Sequence, residues 1–345
     1  MAVKQTAAVS LDIGHSNLKI IQTASDGRIV KFVVHKMPEG CIDDLNVIYD
    51  DALVKSLKGA KKIARQSGGK CTLVISGGDI ITRHFTLPVL PEEELYQNIL
   101  NEMSGYLPVS PEKYNIDYKI AELIKEEGID MYKVLVCTAN KRMVGKFKKV
   151  LSMAGLNLSI IDTCENAREK LLKYNHAYDN SFSIEDGICI LDFGSKSTRA
   201  SVYHNGNYYV SNIIKRSGQT ITDAVAKSTG KDIIAAEILK REVNLLTKSH
   251  PDAELKSAVA YEVDSLLLEI NRVFDYYRTR SKAPVKRIYV SGGGALLPGL
   301  LDYMEEYFGI PIHPAAGLFL TDRTSAPGLS FLLNAYAATL REELP

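Results

Sequence analysis

The chain has 345 residues, a length that points to two or more lobes rather than one small core. With 46% apolar and 24% charged residues it has the make-up of an ordered globular protein, and a formal net charge of +1 leaves no field to draw nucleic acid or an anionic membrane surface. No apolar run reaches the roughly 18 to 20 residues of a membrane-spanning helix, and the opening MAVKQTAAVS lacks a signal peptide's apolar core, so a cytoplasmic protein without direct membrane insertion is expected. Its five cysteines (Cys41, Cys71, Cys137, Cys164, Cys189) form no C-x-x-C pair and lie mostly in apolar runs, which favours buried thiols over a disulfide or zinc framework.

In chain order, the apolar run Ala7 to Leu11 delivers Asp12 to a glycine turn, and a second run from Leu18 to Gln22 leaves it. This stretch reads either as an ordinary hairpin turn or as half of a phosphate clamp. Gly14 permits close backbone approach, Ser16 and Asn17 add short donors, and Asp12 is placed to orient a hydrated cation, since Mg²⁺ keeps several of its waters. The Ser25-Asp26-Gly27-Arg28 corner predicts a hairpin into Ile29 to His35. A helix follows over 50–66, with Leu53, Leu57 and Ile63 on one side and Gly68-Gly69 as its stop; strands follow at 71–76 and 80–87.

From Pro88 to about Leu156 the pattern changes. Proline and acids at 91–94 start a helix that runs to about Tyr106. Strands at 114–122 and 131–139 flank a polar turn, and an amphipathic helix covers 141–154 with Val144, Phe147, Val150 and Leu151 on one face. A helix–strand–strand–helix unit of this size fits an inserted subdomain.

The opening pattern then restarts. A strand at 188–192, a turn at Phe193-Gly194-Ser195, a strand at 198–203 and a hairpin at 204–207 into 208–214 repeat the start of the chain. With Gly14 laid on Gly194, the hairpin glycines Gly27 and Gly206 fall almost in register, at offsets 27 − 14 = 13 and 206 − 194 = 12. An internal duplication is expected. Helices follow at 218–228, 231–247 and 255–281. A strand at 287–291 feeds Gly292-Gly293-Gly294-Ala295, and helices at 298–308 and 328–341 close the chain.

Three glycine turns therefore end three apolar strands, and their chemistry suits a nucleotide. The first two are expected to close on the β- and γ-phosphates from opposite sides, with Asp12 and Asp192 facing one Mg²⁺ through water. Lys19 and the hydroxyls of Ser16, Ser195, Ser197 and Thr198 are candidate phosphate donors. The third turn lets backbone lie against an adenosine. Neither G-x-x-x-x-G-K-[ST] nor G-x-G-x-x-G occurs, and Asp192-Phe193-Gly194 lacks the partner motifs of a protein kinase.

The paired D-x-G turns and Ser291-Gly292-Gly293-Gly294-Ala295 resemble the phosphate 1, phosphate 2 and adenosine motifs of the actin-like ATPase superfamily. Glu237-x-x-Lys240-Arg241 resembles the E-x-x-K-R on which its chaperone members rest the adenosine. Within that superfamily, Arg83-His84-Phe85-Thr86-Leu87-Pro88, Pro91-Glu92-Glu93-Glu94-Leu95, Leu107-Pro108-Val109 and Ala154-Gly155-Leu156 with Ile161-Asp162 are similar to the PilM family of type IV pilus assembly, related to FtsA. The resemblance covers nearly the whole chain.

It implies an α/β actin-like ATPase fold of two duplicated lobes around a nucleotide cleft. The first lobe's core would take residues 1–87, 161–186 and 321–345, and an FtsA-type insertion residues 88–160. The second lobe's core would take 187–215 and 282–320, and a helical subdomain 216–281. It implies ATP and Mg²⁺ as ligands. It also implies a groove for the N-terminal cytoplasmic peptide of a PilN-like inner-membrane protein, with other pilus assembly components recruiting the chain to the inner face of the membrane; self-association is left open. His15 stands where that family has a small residue. Thr163-Cys164 precede the acid expected after the Asp162 strand, which leaves Glu165, or Asn166, as the candidate to orient a catalytic water, and at most a weak ATPase.

The expected function is an ATP-binding assembly scaffold. A small-molecule kinase of the same fold would need a catalytic Asp and a sugar-binding set, and neither is recognisable. An FtsA-like filament former would be expected to end in a basic amphipathic helix, whereas this chain ends Arg341-Glu342-Glu343-Leu344-Pro345.

Overall fold

The computed structural model describes residues 8–43, 46–64, 70–179, 181–247, 249, 251–320 and 327–340. The expected Gly68-Gly69 helix stop, the opening residues 1–7 and the tail 341–345 lie outside them.

The chain begins with an antiparallel meander, β1 (Ala8–Ile13), β2 (Asn17–Thr23) and β3 (Ile29–Lys36), followed by a small ladder of β4 (Ile42–Asp43) and β5 (Asn46–Val47). Helix α1 (Asp50–Ala64) leads into β6 (Lys70–Ile75), which runs parallel to β1. Helix α1 turns Leu53, Leu57, Ala60 and Ala64 inward, whereas Ile63, expected on that face, is exposed. At 3.6 residues per turn, Ile63 falls off the stripe that 53, 57, 60 and 64 define.

Next come β7 (Ile80–Pro88), α2 (Glu92–Ser104), β8 (Tyr114–Glu126), β9 (Ile129–Asn140) and α3 (Lys141–Met153). Strands β7, β9 and β8 form a three-stranded antiparallel sheet, with α2 over a small core of Leu87, Leu95, Ile99, Met103, Val134 and Val136. The β8–β9 strands run nearly through the polar turn read at 125–130, because Glu127 and Gly128 both take positive φ (52° and 86°) and close a two-residue hairpin. The sequence reading starts the insertion at Pro88 and ends it at Ile160. In the structure its sheet starts with β7, while α3 packs Met143, Val144, Phe147, Val150 and Leu151 into the first lobe's core beside α1.

Strand β10 (Asn157–Thr163) then joins β6 in parallel and feeds α4 (Cys164–Tyr178), whose N-cap Thr163 accepts from the Asn166 N–H at 3.3 Å. The second lobe repeats the first with β11 (Gly187–Phe193), β12 (Thr198–His204) and β13 (Asn207–Ile214), then α5 (Gly218–Thr229), α6 (Ile233–Glu242) and α7 (Ala253–Ser281). It finishes with β14 (Val285–Ser291), α8 (Leu300–Phe308) and β15 (Ile312–Pro314), and α9 (Leu333–Ala337) returns to the first lobe. Helix α6 is shorter than the expected 231–247, starting after Asp232, whose carboxylate accepts from the Ala235 N–H at 2.8 Å. The closing helix expected at 328–341 is a 3₁₀ segment, Pro327–Leu332, followed by one short α-helical stretch.

The two large sheets have the same order and the same strand senses: β3-β2-β1-β6-β10 and β13-β12-β11-β14-β15. The duplication read from two turns thus extends over both five-stranded sheets. Helices α4 and α9 form the layer between them: Leu171, Leu172, Leu333 and Tyr336 share one core with Ile21 and Val74 of the first sheet and Ile188 and Ile190 of the second. Outer helices α5, α7 and α8 cover the far face of the second sheet. No helix among the described residues is long and apolar enough to cross a membrane. All five cysteines are free, and burial pushes the thiols of Cys137, Cys164 and Cys189 up to about 12.

Candidate functional site

The first turn is set by the β1–β2 register, which puts Asp12 opposite Lys19. The Lys19 ammonium donates to Asp12 Oδ2 at 2.7 Å, and the Gly14 N–H closes the turn on the Asn17 carbonyl at 3.0 Å. The second turn is built alike: Asp192 lies opposite Arg199, and the Gly194 N–H donates to the Ser197 carbonyl at 3.0 Å. A Cβ on Gly194 would come within 2.7 Å of that carbonyl oxygen, so the turn requires glycine. Each acid is followed by a cation at the same spacing, 19 − 12 = 7 and 199 − 192 = 7.

The ion pairs break this symmetry. Arg199 reaches away from its own turn to Glu165 Oε1 at 2.8 Å. Asp192 Oδ2 instead accepts from the wholly buried Arg168 of α4 at 2.8 Å and from Asn334 Nδ2 of α9 at 2.7 Å. Burial alone would raise the Asp192 carboxyl, but Arg168 and Lys19 pull it below its ordinary range. Burial alone would lower the Lys19 ammonium, but Asp12 and Asp192 raise it. Asp12, Lys19, Asp192 and Arg168 therefore act as one charge cluster across the two lobes. Arg168 and Asn334 were missed in the sequence because no local pattern marks them; Asn334 lies 142 residues from the acid it meets. Arg199 was missed as well, although the repeated seven-residue spacing after each acid is a signal that marks it.

The other predicted residues surround the second turn. A Cβ on Gly292 would overlap the Phe193 carbonyl and one on Gly294 the Phe193 ring, so these two glycines let the end of β14 lie on the Asp192 turn. Of the three glycines read as an adenosine rest, Gly293 alone has open space where a side chain would go, and the Ala295 N–H donates to the Gly292 carbonyl at 3.3 Å. Glu237 Oε2 accepts from Thr222 Oγ1 at 2.6 Å and from Lys240 Nζ at 2.5 Å, and Lys240 also donates to the Gly218 carbonyl at 2.9 Å. The Gly218 and Gln219 N–H groups in turn donate to the Gly194 and Ser195 carbonyls at 2.9 and 3.0 Å. Glu237 and Lys240 thus brace the Asp192 turn from behind, while Arg241, held by Glu237 at 2.7 Å, stays exposed. Thr198 is buried and gives its hydroxyl to the Arg216 carbonyl at 2.7 Å. Ser16 is exposed at the first turn's tip, and Ser195, Ser197 and Asn17 are half-buried beside the tips.

Glu165 and Asn166 sit at the N-terminus of α4, where the first lobe, the insertion and the second lobe meet around a cleft of about 250 Å³ lined by Gly77, Gly78, Arg83, Glu165, Arg199 and Ser211. Burial would raise the Glu165 carboxyl, but Arg199 and Arg168 hold it below its ordinary value, which makes it a poor proton acceptor. Asn166 donates to Asp162 at 2.9 Å and accepts from Lys119 of β8 at 3.0 Å. Lys119 also pairs with Glu169 at 2.7 Å, and His84 of β7 stacks on Tyr208 of β13 with ring centroids 5.9 Å apart. The insertion is tied in this way to α4 and to the second lobe.

The Mg²⁺ implied by the resemblance was tested against these groups. Asp12 and Asp192, its expected holders through water, each already carry a protein cation. Freeing Asp192 would strand a buried guanidinium, and removing one partner of a buried pair costs about 3–5 kcal/mol. The donor set does not fit a divalent ion.

A family model described as type IV pilus assembly protein PilM matches residues 10–336. A solved PilM–PilN type IV pilus biogenesis complex has a chain of the same fold, with TM-score 0.79, 21% identity and 97% of each chain covered. The ethanolamine utilization protein EutJ of Carboxydothermus hydrogenoformans is similar at TM-score 0.59 and 15% identity, over 97% of this chain and 89% of that one. MreB5 of Spiroplasma citri, solved with AMPPNP, is similar at 0.53 and 14%, over 95% and 93%. The cell division protein FtsA of Neisseria meningitidis serogroup B is 23% identical over 180 residues; the match spans 46% of this chain and 44% of that protein.

Proposed function

The chain belongs to the PilM family of type IV pilus assembly proteins, and on that premise we propose that it is a cytoplasmic nucleotide-binding scaffold of pilus assembly. In this reading ATP lies between the lobes. Its phosphates rest on the turns at Asp12–Asn17 and Asp192–Ser197, and its adenosine lies toward Gly293 and the exposed side of Glu237 and Arg241. The observation that carries the reading is the pair of turns with matching register and closing hydrogen bonds, each ending the central strand of its own sheet and both feeding one charge cluster. The MreB5 neighbour, solved with AMPPNP, supports it through the shared fold.

The partner in this reading is the N-terminal cytoplasmic peptide of a PilN-like inner-membrane protein, which keeps the chain at the inner face of the membrane. The PilM–PilN complex supports that choice. The peptide would dock beside the inserted subdomain, whose ties to α4 and β13 let lobe closure alter the groove. For the nucleotide to act as a switch it must bind one closure state better than the other. The scaffold is a binder more than a hydrolase, because Glu165 is committed to Arg199.

A peptide from the cytoplasmic tail of the candidate membrane partner, titrated with and without ATP, tests the scaffold reading. Saturable binding that changes with ATP is expected. Absence of binding in both conditions would sink it.

A further inference from the structure

We propose that this chain binds the free nucleoside triphosphate rather than its Mg²⁺ complex, with Lys19 and Arg168 doing the charge neutralisation that a divalent ion would otherwise do. The inference rests on the nucleotide reading and adds the ionic form of the ligand.

Four observations carry it. The acid of each phosphate turn already holds a cation: Lys19 lies 2.7 Å from Asp12 and Arg168 2.8 Å from Asp192. Arg168 cannot step aside, because it is wholly buried and spends its three nitrogens on three partners. Nε donates to Asn334 at 2.9 Å, Nη1 to Ser201 at 3.3 Å and Nη2 to Asp192 at 2.8 Å. Asp192 Oδ2 takes a further donor from Asn334 at 2.7 Å, so protein donors occupy that oxygen and fix the carboxylate's orientation. Finally, the two acids and two bases sum to zero charge. The cluster has no net negative field to concentrate a dication, while Lys19, with three ammonium donors of which Asp12 takes one, can share the rest with a phosphate oxygen.

The cluster is also asymmetric in the way this chemistry needs. Lys19 and Arg199 occupy matching register positions, but Arg199 is spent on Glu165. Lys19, its side chain 15% exposed, pairs only with the acid of its own turn. Arg168 is the internal counter-charge that keeps Asp192 from repelling the phosphates.

Calorimetric titration of the full chain with ATP, once in excess Mg²⁺ and once in excess EDTA, tests this. Affinities within about threefold of one another are expected. Binding in Mg²⁺ that weakens by about tenfold or more in EDTA would overturn the inference and leave the nucleotide reading standing; no binding in either buffer would remove both. Lys19→Met removes the donor and frees the Asp12 carboxylate, so it is expected to convert the protein into a Mg²⁺-dependent binder, at least about tenfold weaker in EDTA than in Mg²⁺. Unchanged EDTA binding by that variant would overturn the assignment of Lys19. Lys19→Arg keeps the charge and is expected to keep the EDTA binding, with thermal melting of both variants reporting their folding.

Discussion

At Gly292, Gly293 and Gly294 the three neighbouring positions differ in what a side chain would meet. Gly294 is required by packing, since a methyl there would strike the Phe193 ring, whereas a methyl on Gly293 meets nothing within 4 Å. Gly294→Ala is therefore expected to lose about 1–3 kcal/mol of stability, read as a lower urea midpoint. Gly293→Ala should stay within about 0.5 kcal/mol of the parent, yet weaken ATP if adenosine lies there. Equal midpoints for the two variants would contradict the packing assignment. The acids make a second prediction. Burial would raise the carboxyls of Asp192, Glu165 and Glu169, but Arg168, Arg199 and Lys119 more than offset it, so all three are lowered in the folded protein. Protons then bind the unfolded chain first. The stability these pairs supply is complete above the unfolded values near 4 and drains as pH falls through the lower folded values. Urea midpoints should hold from about pH 7 to 5 and fall steeply below about pH 4. Asp192→Asn should start lower and fall less steeply, and a parallel curve for that variant would remove Asp192 from the set.

Helix α4 connects the elements. Its face carries Glu165 to Arg199 of β12, Arg168 to Asp192 of β11, Glu169 to Lys119 of the insertion, and Lys170 to Asp162 of β10 at 2.6 Å. Its length and N-cap follow from Thr163 and the apolar positions Ala167, Leu171 and Leu172, but its buried charges do not. By pattern alone they read as a solvated face, and burial became possible only because a partner from another element met each one. Lys119→Met removes the tie between α4 and the insertion while Lys173 still pairs with Glu169 at 2.6 Å. Hydrogen exchange should speed up in β8 and leave β11 and β14 unchanged; uniform acceleration would mean that Lys119 supports the whole fold rather than the placement of the insertion. Helix α9 was harder to read. Its five residues are all buried and nearly all apolar, too short for a helical period, so the expected long closing helix was an extrapolation of composition.

Over the whole molecule, two sheets of identical order face each other across α4 and α9, and the duplicated architecture was legible from strand–turn–strand patterns because turn chemistry and strand alternation are local properties. The break in pattern at Pro88 fell at the end of β7, inside the three-stranded sheet, because an antiparallel pairing with β9 leaves no local mark at its first strand. By itself the sequence determined the family, the duplication and the two acids that end the central strands. The tertiary structure decided which cation each acid meets: Asp12 takes the lysine of its own hairpin, while Asp192 takes an arginine from α4 and an amide from α9. Pairings between elements far apart in the chain leave no mark in local periodicity. They are selected only when packing excludes water and every buried charge must find a counter-charge.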